Sequence, residues 1–478
     1  MATEVIGRAD EKNELNRLME STNAELVVGY GRRRIGKTFL IRQHLKPQLV
    51  FELSGLHNES LERQLENFAI RLKTHSGKSI TNPTSWLQAF EQLNEWLTNS
   101  KAKGKRVLFF DEFPWLASRR SGFHSAFEAF WNSFASRDPS LVCIICGSAA
   151  SWMIQKVINS KGGLHNRATS QIRLKPFTLA ETKRFLVSRK IDLPDFQIAQ
   201  LYMAIGGVPH YLERLERGQS AAQQIDRLCF QKNGLLAGEF SNLYRALFEN
   251  SDQHEAIVRA LAKKRVGLNR TELTEATGLP SGGTLTKVLG ELSESGFIRE
   301  MPAHNAARKN SVWRLTDEYS LFYLTWIEPY RMIGKEVWLT KSSGQKWKSW
   351  CGYAFENLCL SHVPQIKKAL GISGVLTEEA AWQFTPSSPG EQGAQIDLLI
   401  DRNDQTINIC EMKFTEASFV IDKRYAADLQ NKLTVFRQRT KTNKALFLTM
   451  VTAAGVKPNN YSQNMVANEV KLSQLFED

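Results

Sequence analysis

No apolar run in this sequence reaches the roughly 20 residues that a membrane-crossing helix needs, so none is expected. Cysteine is scarce: there are six in 478 residues, at 143, 146, 229, 351, 359 and 410, without a pattern. That excludes a disulfide framework and points to a reducing compartment. Cys143 and Cys146 have a redox or zinc spacing, but they lie inside the strand-like run LVCIICG. Residues three apart on a strand point to opposite faces, so these sulfurs are expected to stay apart as small buried hydrophobes. No internal repeat or low-complexity tract occurs. The opening MATEVIGRADEKNE is acidic and polar, which is wrong for a signal peptide, and the expected location is the cytoplasm. Acidic residues are outnumbered, 49 against 62 Lys and Arg, leaving a net charge of +13. A basic surface favours polyanions such as nucleic acid, although it also aids solubility.

What is present is an ordinary globular balance, 42% hydrophobic and 23% charged, in a chain long enough for two to four domains. Residues 1–175 alternate apolar strand-like runs (ELVVGY, LVFEL, RVLFFD, LVCIIC, QIRL) with helical stretches, the pattern of a parallel α/β sheet. Residues 176–245 read as helical, broken at Gly206-Gly207-Val208-Pro209. Residues 246–330 hold three helices and a hairpin, and 345–478 form a second α/β domain after a linker at 330–346.

Gly31-Arg32-Arg33-Arg34-Ile35-Gly36-Lys37-Thr38 satisfies G-x-x-x-x-G-K-[ST], between the strand ELVVGY and the helix TFLIRQHL. The glycines permit a turn that aims amide N–H groups at phosphate, and the helix N-terminus adds a favourable dipole. Lys37 is expected to neutralise the β- and γ-phosphates of ATP, and Thr38 to bind Mg²⁺ through its hydroxyl. Phe39 completes the candidate nucleotide-binding run. Asp111 ends an apolar strand, which puts a carboxylate at the sheet's carboxyl edge where it can hold Mg²⁺. Glu112 either polarises the attacking water or caps the next segment. Ser148 either senses the γ-phosphate or simply ends its strand.

These pieces, with the box Ile6-Gly7-Arg8-Ala9-Asp10-Glu11, Gly147-Ser148 and Gly206-Gly207-Val208-Pro209, resemble the archaeal and bacterial branch of AAA+/STAND-related ATPases over about the first 215 residues. The resemblance implies that the box, with Gly7 and Arg8, lies against the adenine. It implies that the turn at Pro209 closes a helical lid over the nucleotide. It also implies that Arg167, ahead of QIRL, reaches a γ-phosphate as an arginine finger, within its own subunit or across a boundary in a homo-oligomer. A surface arginine is the plainer alternative.

The segments HEAIVRALAKKR, RTELTEATG and SGGTLTKVLGELSESG, followed by GFIREMPA and SVWRLTD, resemble a winged helix-turn-helix. Such a module binds DNA or packs internally. The third helix offers Lys287 against Glu291 and Glu294, a poor match to the major groove. The wing holds Arg299, Arg308, Lys309 and Arg314, so any DNA contact is expected there, to phosphate.

In the last domain, QIDLLI and TINICEMKF flank RNDQ and read as a hairpin. Folding it places Asp397 roughly opposite Cys410, one step from Glu411, and Lys413 shares a face with Glu411. Two carboxylates suit a hard divalent ion, and a lysine can orient its water. The set resembles the PD-(D/E)XK nuclease superfamily, and the domain resembles the nuclease-like one often fused to this ATPase family. Gln395-Ile396 stands where the motif's name puts proline. The resemblance implies Glu356 as a further metal ligand beside Asp397 and Glu411, and Gln430 and Lys432 as phosphate contacts. A hairpin with surface charges is the alternative. Between 423 and 444 lie seven bases (Lys423, Arg424, Lys432, Arg437, Arg439, Lys441, Lys444) and one acid, Asp428: a stripe to steer phosphate, or a solvated helix face.

The expected fold is α/β: a P-loop NTPase with parallel sheet and helical lid, a winged helix-turn-helix, and a C-terminal restriction-endonuclease-like domain. The expected function is ATP hydrolysis coupled to Mg²⁺-dependent (or Mn²⁺-dependent) cleavage of nucleic acid, DNA favoured, with no membrane partner. The alternative is a regulatory ATPase switch whose C-terminal domain binds DNA or protein and cuts nothing.

Overall fold

The computed structural model describes residues 4–100, 103–118, 121–159, 167–264, 266–304, 311–330, 337–386, 388 and 391–477. The chain divides into two compact units, Met1–Pro176 and Phe177–Asp478. Among the described residues no helix is long and apolar enough to cross a membrane.

The first unit is built on five strands: β1 Glu25–Tyr30, β2 Leu49–Ser54, β3 Arg106–Asp111, β4 Leu141–Gly147 and β5 Ser170–Arg173. All pair in parallel, in the order β2-β3-β4-β1-β5. β3 and β4 are buried at every position, which is why they read as unbroken apolar runs. One sheet face packs on aromatic rings, with Phe51, Phe68, Phe90, Phe110, Phe123 and Phe127 in mutual contact. The other face is mostly aliphatic, with Val27, Leu40, Ile41, Val107, Val142 and Ile144. Cys143 points to the aromatic face and Cys146 to the other, both as free thiols, as the alternation along a strand requires. Gly29 lets β1 approach β4 closely: a Cβ there would lie 2.5 Å from the Cys146 sulfur.

The second unit holds the blocks read as lid, winged helix and C-terminal domain. Helices Leu179–Ser188 and Asp195–Ile205 come first. Gly206, at φ 67°, ends the second of these, and Pro209 starts the next, Pro209–Leu212. Helices Ser251–Lys263, Arg270–Thr277 and Gly283–Glu294 precede an antiparallel ribbon of β6 Ile298–Met301 and β7 Val312–Leu315. Leu268 bridges to Trp313 beside it. Arg308 and Lys309 lie outside the described residues, as does 331–336 of the linker.

The last part is a five-stranded sheet in the order β12-β11-β10-β9-β8. Its strands are β8 Thr377–Phe384, β9 Ala394–Arg402, β10 Thr406–Lys413, β11 Ala445–Thr452 and β12 Asn468–Lys471, with helices Gln345–Ser361 and Lys423–Thr440 packed on it. β9 and β10 form the expected hairpin. The edge strands β8 and β12 escaped the sequence reading, because few of their residues are buried and neither makes an apolar run.

One buried imidazole ties the first helix of this unit to the helix Gln345–Ser361. His362 Nε2 accepts the Leu179 N–H at 3.0 Å and its Nδ1 donates to Leu358 O at 2.8 Å. Both bonds need the neutral ring, and burial pulls its pKa from an ordinary 6.5 down to about 4. The unfolded chain therefore binds a proton that the folded ring refuses. Stability is complete above about pH 6.5 and is lost as the pH falls toward 4, by up to roughly 3 kcal/mol. We expect hydrogen exchange across Leu179–Ser188 to gain an acid-dependent opening in that window, beyond the intrinsic rate change. His362→Gln, which keeps an acceptor without the titration, should flatten it. An identical pH profile in the variant would dismiss the imidazole as its origin.

Candidate active site

Parallel strands put their carboxyl ends together, and the order β3-β4-β1 aligns three of them. The helix opened by the loop after β1 begins at Lys37, β3 ends in Asp111, and β4 is followed by Ser148. Gly31 takes φ 148° and Gly36 φ 91°. A Cβ on Gly31 would meet Leu174 O at 2.4 Å, so nothing larger fits. Arg34 is also left-handed, at φ 70°.

The loop is braced from outside. Arg8, only 4% exposed, donates to Ile35 O at 2.9 Å and to Lys175 O at 2.7 Å. It thus ties the phosphate-binding loop to the segment after β5. Gly7 and Arg8 both have positive φ, 67° and 58°. Sequence reasoning placed Arg8 near the adenine by resemblance, but its guanidinium is engaged with loop backbone. The adjacent left-handed glycine was the one local signal of a special turn.

Lys37 Nζ is buried and lies 2.8 Å from Gly31 O, 2.9 Å from Arg32 O and 3.3 Å from Ser148 Oγ. Ser148 Oγ in turn donates to Glu112 Oε1 at 2.5 Å, and its N–H to Oε2 at 3.3 Å. Thr38 Oγ1 donates to Asp111 Oδ2 at 2.7 Å. Successive strand residues point to opposite faces, yet Asp111 and Glu112 both face this cluster. The cause is Glu112, at φ 47°, which leaves the strand geometry and re-aims its side chain. A left-handed non-glycine residue costs on the order of 1 kcal/mol and tends to occur at functional sites. Burial raises the pKa of Asp111, against the Thr38 hydrogen bond, and burial lowers that of Lys37, against Glu112. Both groups are therefore short of compensating charge. The Thr38 hydroxyl and Asp111 carboxylate are hard oxygen donors in contact, so they fit Mg²⁺ shared with phosphate and water.

Arg32 is buried, while Arg33 and Phe39 are exposed at the loop and helix surface. Arg167 is exposed in the turn before β5; Gly162 and Gly163 lie outside the described residues. Pro209 belongs to the second unit.

In the C-terminal domain, β9 and β10 pair through Cys410↔Leu398. One step further along the register puts Asp397 beside Glu411 rather than opposite Cys410. Glu411 is saturated: Oε1 accepts from Lys413 Nζ at 2.9 Å and Tyr425 OH at 2.5 Å, and Oε2 from Lys432 Nζ at 2.6 Å. Burial alone would raise its pKa, but Lys413 and Lys432 override this and bring it to about 2. Asp397 accepts from Gln395 at 2.8 Å. Arg314 of β7 stands 3.6 Å from both Asp397 and Glu356. Burial and then Asp397 push Glu356 up to about 7.

The expected metal set is not assembled in this arrangement. Among the described residues no three His, Cys, Asp or Glu side chains come together to hold an ion. The donor types suit a divalent cation, but Arg314, Lys413 and Lys432 already supply the positive charge. As arranged, Glu356, Asp397 and Glu411 do not fit the metal.

Three further expectations need correction. Lys432 is spent on Glu411, and Gln430 bonds to Thr434, so neither is poised for phosphate. The basic stripe breaks up, because Arg439 pairs with Glu391 and Lys444 with Asp401 at 2.5 Å. Lys423, Arg424, Arg437 and Lys441 remain exposed, at opposite ends of the helix. The described wing bases are not offered to DNA either: Arg299 bonds to Glu379 at 2.6 Å and Leu360 O at 2.7 Å, and Arg314 is 1% exposed. Tyr425 and Arg314 were missed as site residues, since no local sequence pattern links them to Glu411 or Glu356.

Residues 6–215 match the family of ATPase domains found predominantly in Archaea. An uncharacterised protein of Methanocaldococcus jannaschii is 23% identical over 432 residues, 89% of this chain and 91% of that one. The Walker-type ATPase of Pyrococcus abyssi superposes with a TM-score of 0.50 at 20% identity, over 67% of this chain and 96% of its own, a likeness of fold. The chain thus carries an ATP-binding ATPase domain of the P-loop kind.

Arg8 gives a direct test of how the loop is held. Arg8→Ala should lower nucleotide affinity and destabilise the domain by roughly 1–3 kcal/mol, since the buried Ile35 carbonyl and the part-buried Lys175 carbonyl lose their donor. Arg8→Lys, which cannot reach both carbonyls at once, should recover only part. Fluorescent-nucleotide binding and thermal melting check this; unchanged affinity in Arg8→Ala would remove the brace from nucleotide binding.

Proposed function

We propose that the protein is an ATP-hydrolysing switch in which Lys37, Ser148 and Glu112 form a nucleotide-responsive relay. The observation that carries this reading is the hydrogen-bonded chain Lys37–Ser148–Glu112 beside the Thr38–Asp111 pair. Lys37 is bonded to its own loop carbonyls and must exchange them for β- and γ-phosphate oxygens when ATP enters. Ser148 would then report that exchange to Glu112, which takes the proton of the attacking water. Thr38 and Asp111 would hold Mg²⁺, which would supply charge compensation on the phosphates. Arg167 is exposed and reads as a finger acting in its own subunit or in a homo-oligomer. The Gly-Gly-Val-Pro turn with Pro209 reads as the start of a lid, and Gly7 and Phe39 as rim contacts.

Lys37→Ala should abolish or severely weaken ATP binding. Glu112→Gln should keep binding and slow turnover by about 10²- to 10⁴-fold, the range for a lost general base. Equal turnover in Glu112→Gln and wild type, measured as phosphate release, would take Glu112 out of the mechanism.

A second reading concerns the C-terminal domain: ATP-controlled phosphodiester cleavage of nucleic acid, DNA favoured, by Asp397, Glu411 and Lys413. It is favoured by the adjacency of Asp397 to Glu411 and the 2.9 Å contact of Lys413. The saturated carboxylates favour instead a domain that binds DNA or protein without cutting. Labelled DNA and RNA incubated with the full chain and Mg²⁺ or Mn²⁺, with and without ATP, separate the two. Cleavage that stops with chelator and in Asp397→Ala supports the nuclease, and none under any condition leaves the binding module.

A further inference from the structure

The β6–β7 ribbon is docked on the C-terminal domain at several points. Arg299 of β6 holds Leu360 O and Glu379. Just past β6, Ala303 bridges to Ala381 of β8, and His304 Nε2 meets Asp401 Oδ2 at 3.0 Å. At β7, Asn357 donates to Leu315 O at 2.9 Å. Between these ties Arg314, opposite Arg299 in the ribbon, reaches Glu356 and Asp397.

The Arg314 contact is odd for a structural ion pair. A buried guanidinium that serves stability usually makes short, paired hydrogen bonds to its carboxylate, at about 2.7–2.9 Å. Arg314 is 1% exposed, yet both its approaches are 3.6 Å, and Nε and Nη2 have no hydrogen-bond partner. It supplies charge without supplying hydrogen bonds. Three carboxyl groups (Glu356, Asp397, Glu411) face three cations (Arg314, Lys413, Lys432), so the cations already match the carboxyls in number. Lys413 and Lys432 both bond to Glu411, so Arg314 is the cation in contact with Glu356 and Asp397, and Lys413 acts on Glu356 only from further off. A divalent cation added beside it would meet a site with no charge left to offset; with Arg314 withdrawn, it would meet two uncompensated carboxylates.

We propose that Arg314 is a removable internal counter-ion, by which the docked β6–β7 ribbon closes the Glu356–Asp397 site to divalent cations. This rests on reading those carboxylates as an ion-holding pair. Ribbon and ion are mutually exclusive, so whatever undocks the ribbon opens the site. The winged-helix module then acts as a plug on the C-terminal domain, which accounts for the enclosure of its described wing arginines.

The test measures Mn²⁺ binding to the nucleotide-free full chain by electron paramagnetic resonance. The signal that matters is the part lost on adding Asp397→Asn, which sets aside the Thr38–Asp111 site. Wild type should show almost none. Arg314→Gln should gain it with an affinity at least about tenfold tighter, because the repelling charge is gone. Arg299→Ala, which loosens the ribbon from a more exposed position and leaves the carboxylates untouched, should shift the same way by less. It carries the test if Arg314→Gln does not fold. Mn²⁺ should also raise the melting temperature of the variants but not of wild type. Asp397-dependent binding that is equal in wild type and variants overturns the proposal, as does its absence from every folded variant. Ion binding by Arg314→Gln without cleavage of DNA or RNA upholds the plug and sinks the nuclease reading. Cleavage by wild type as fast as by Arg314→Gln does the reverse.

Discussion

A carboxylate taken out of water must be met by a cation, by hydrogen-bond donors or by a proton, because desolvation costs several kcal/mol otherwise. Both candidate sites of this chain are built around that requirement, and they satisfy it differently. At the nucleotide site Asp111 has the Thr38 hydroxyl and a backbone N–H, and burial holds its pKa above the usual carboxylate range. In the C-terminal cluster Glu411 has two ammonium groups and a phenol, and remains ionised to about pH 2. The first arrangement leaves room for incoming positive charge, whereas the second has used its own.

The same requirement explains which parts could be read in advance. Strands buried on both faces, such as RVLFFD and LVCIICG, have to be apolar throughout, so their positions are legible within a residue. The phosphate-binding loop is legible because its backbone demands glycine at Gly31 and Gly36. The hairpin of β9 and β10 is legible from RNDQ between apolar runs, and only its register differs, by one step at Asp397. Charge partners were not legible. Lys432 and Arg437 look alike on the sequence of one helix, but one is bound to Glu411 and the other is exposed. Which base is free depends on packing between elements far apart in the chain, and no local period encodes it. Counting bases therefore overstated the surface offered to a polyanion.

Backbone strain gathers at the nucleotide site, although Asn58, Lys190, Gln405 and Lys441 are also left-handed. Arg8, Arg34 and Glu112 are all left-handed without being glycine, and all three adjoin the loop. Each has an evident purpose or place: Arg8 turns into the loop backbone, Arg34 lies within the turn, and Glu112 is brought round to Ser148. A surrounding fold that tolerates three such residues in one place is holding a geometry that the loop would not take alone. Residue identity at these positions gives little hint of it, since arginine and glutamate are unremarkable in loops.

The ion pairing of the C-terminal cluster also bears on how one part of the chain governs another. Coupling needs an element with two arrangements whose balance can be shifted. A tightly bonded ion pair makes a poor one, because leaving it strands a buried charge at a cost of several kcal/mol. Arg314 at 3.6 Å, with Nε and Nη2 unpartnered, gives up no short hydrogen bond on withdrawal, unlike the lysines on Glu411 at 2.6 and 2.9 Å, so the charge it leaves behind is the main cost and an incoming cation can offset it. The two lysines belong to the domain whose site they fill, while Arg314 arrives from the ribbon. If any part of the cluster is set to move, the bonding pattern singles out the ribbon, and the Glu411 half stays in place to receive it again.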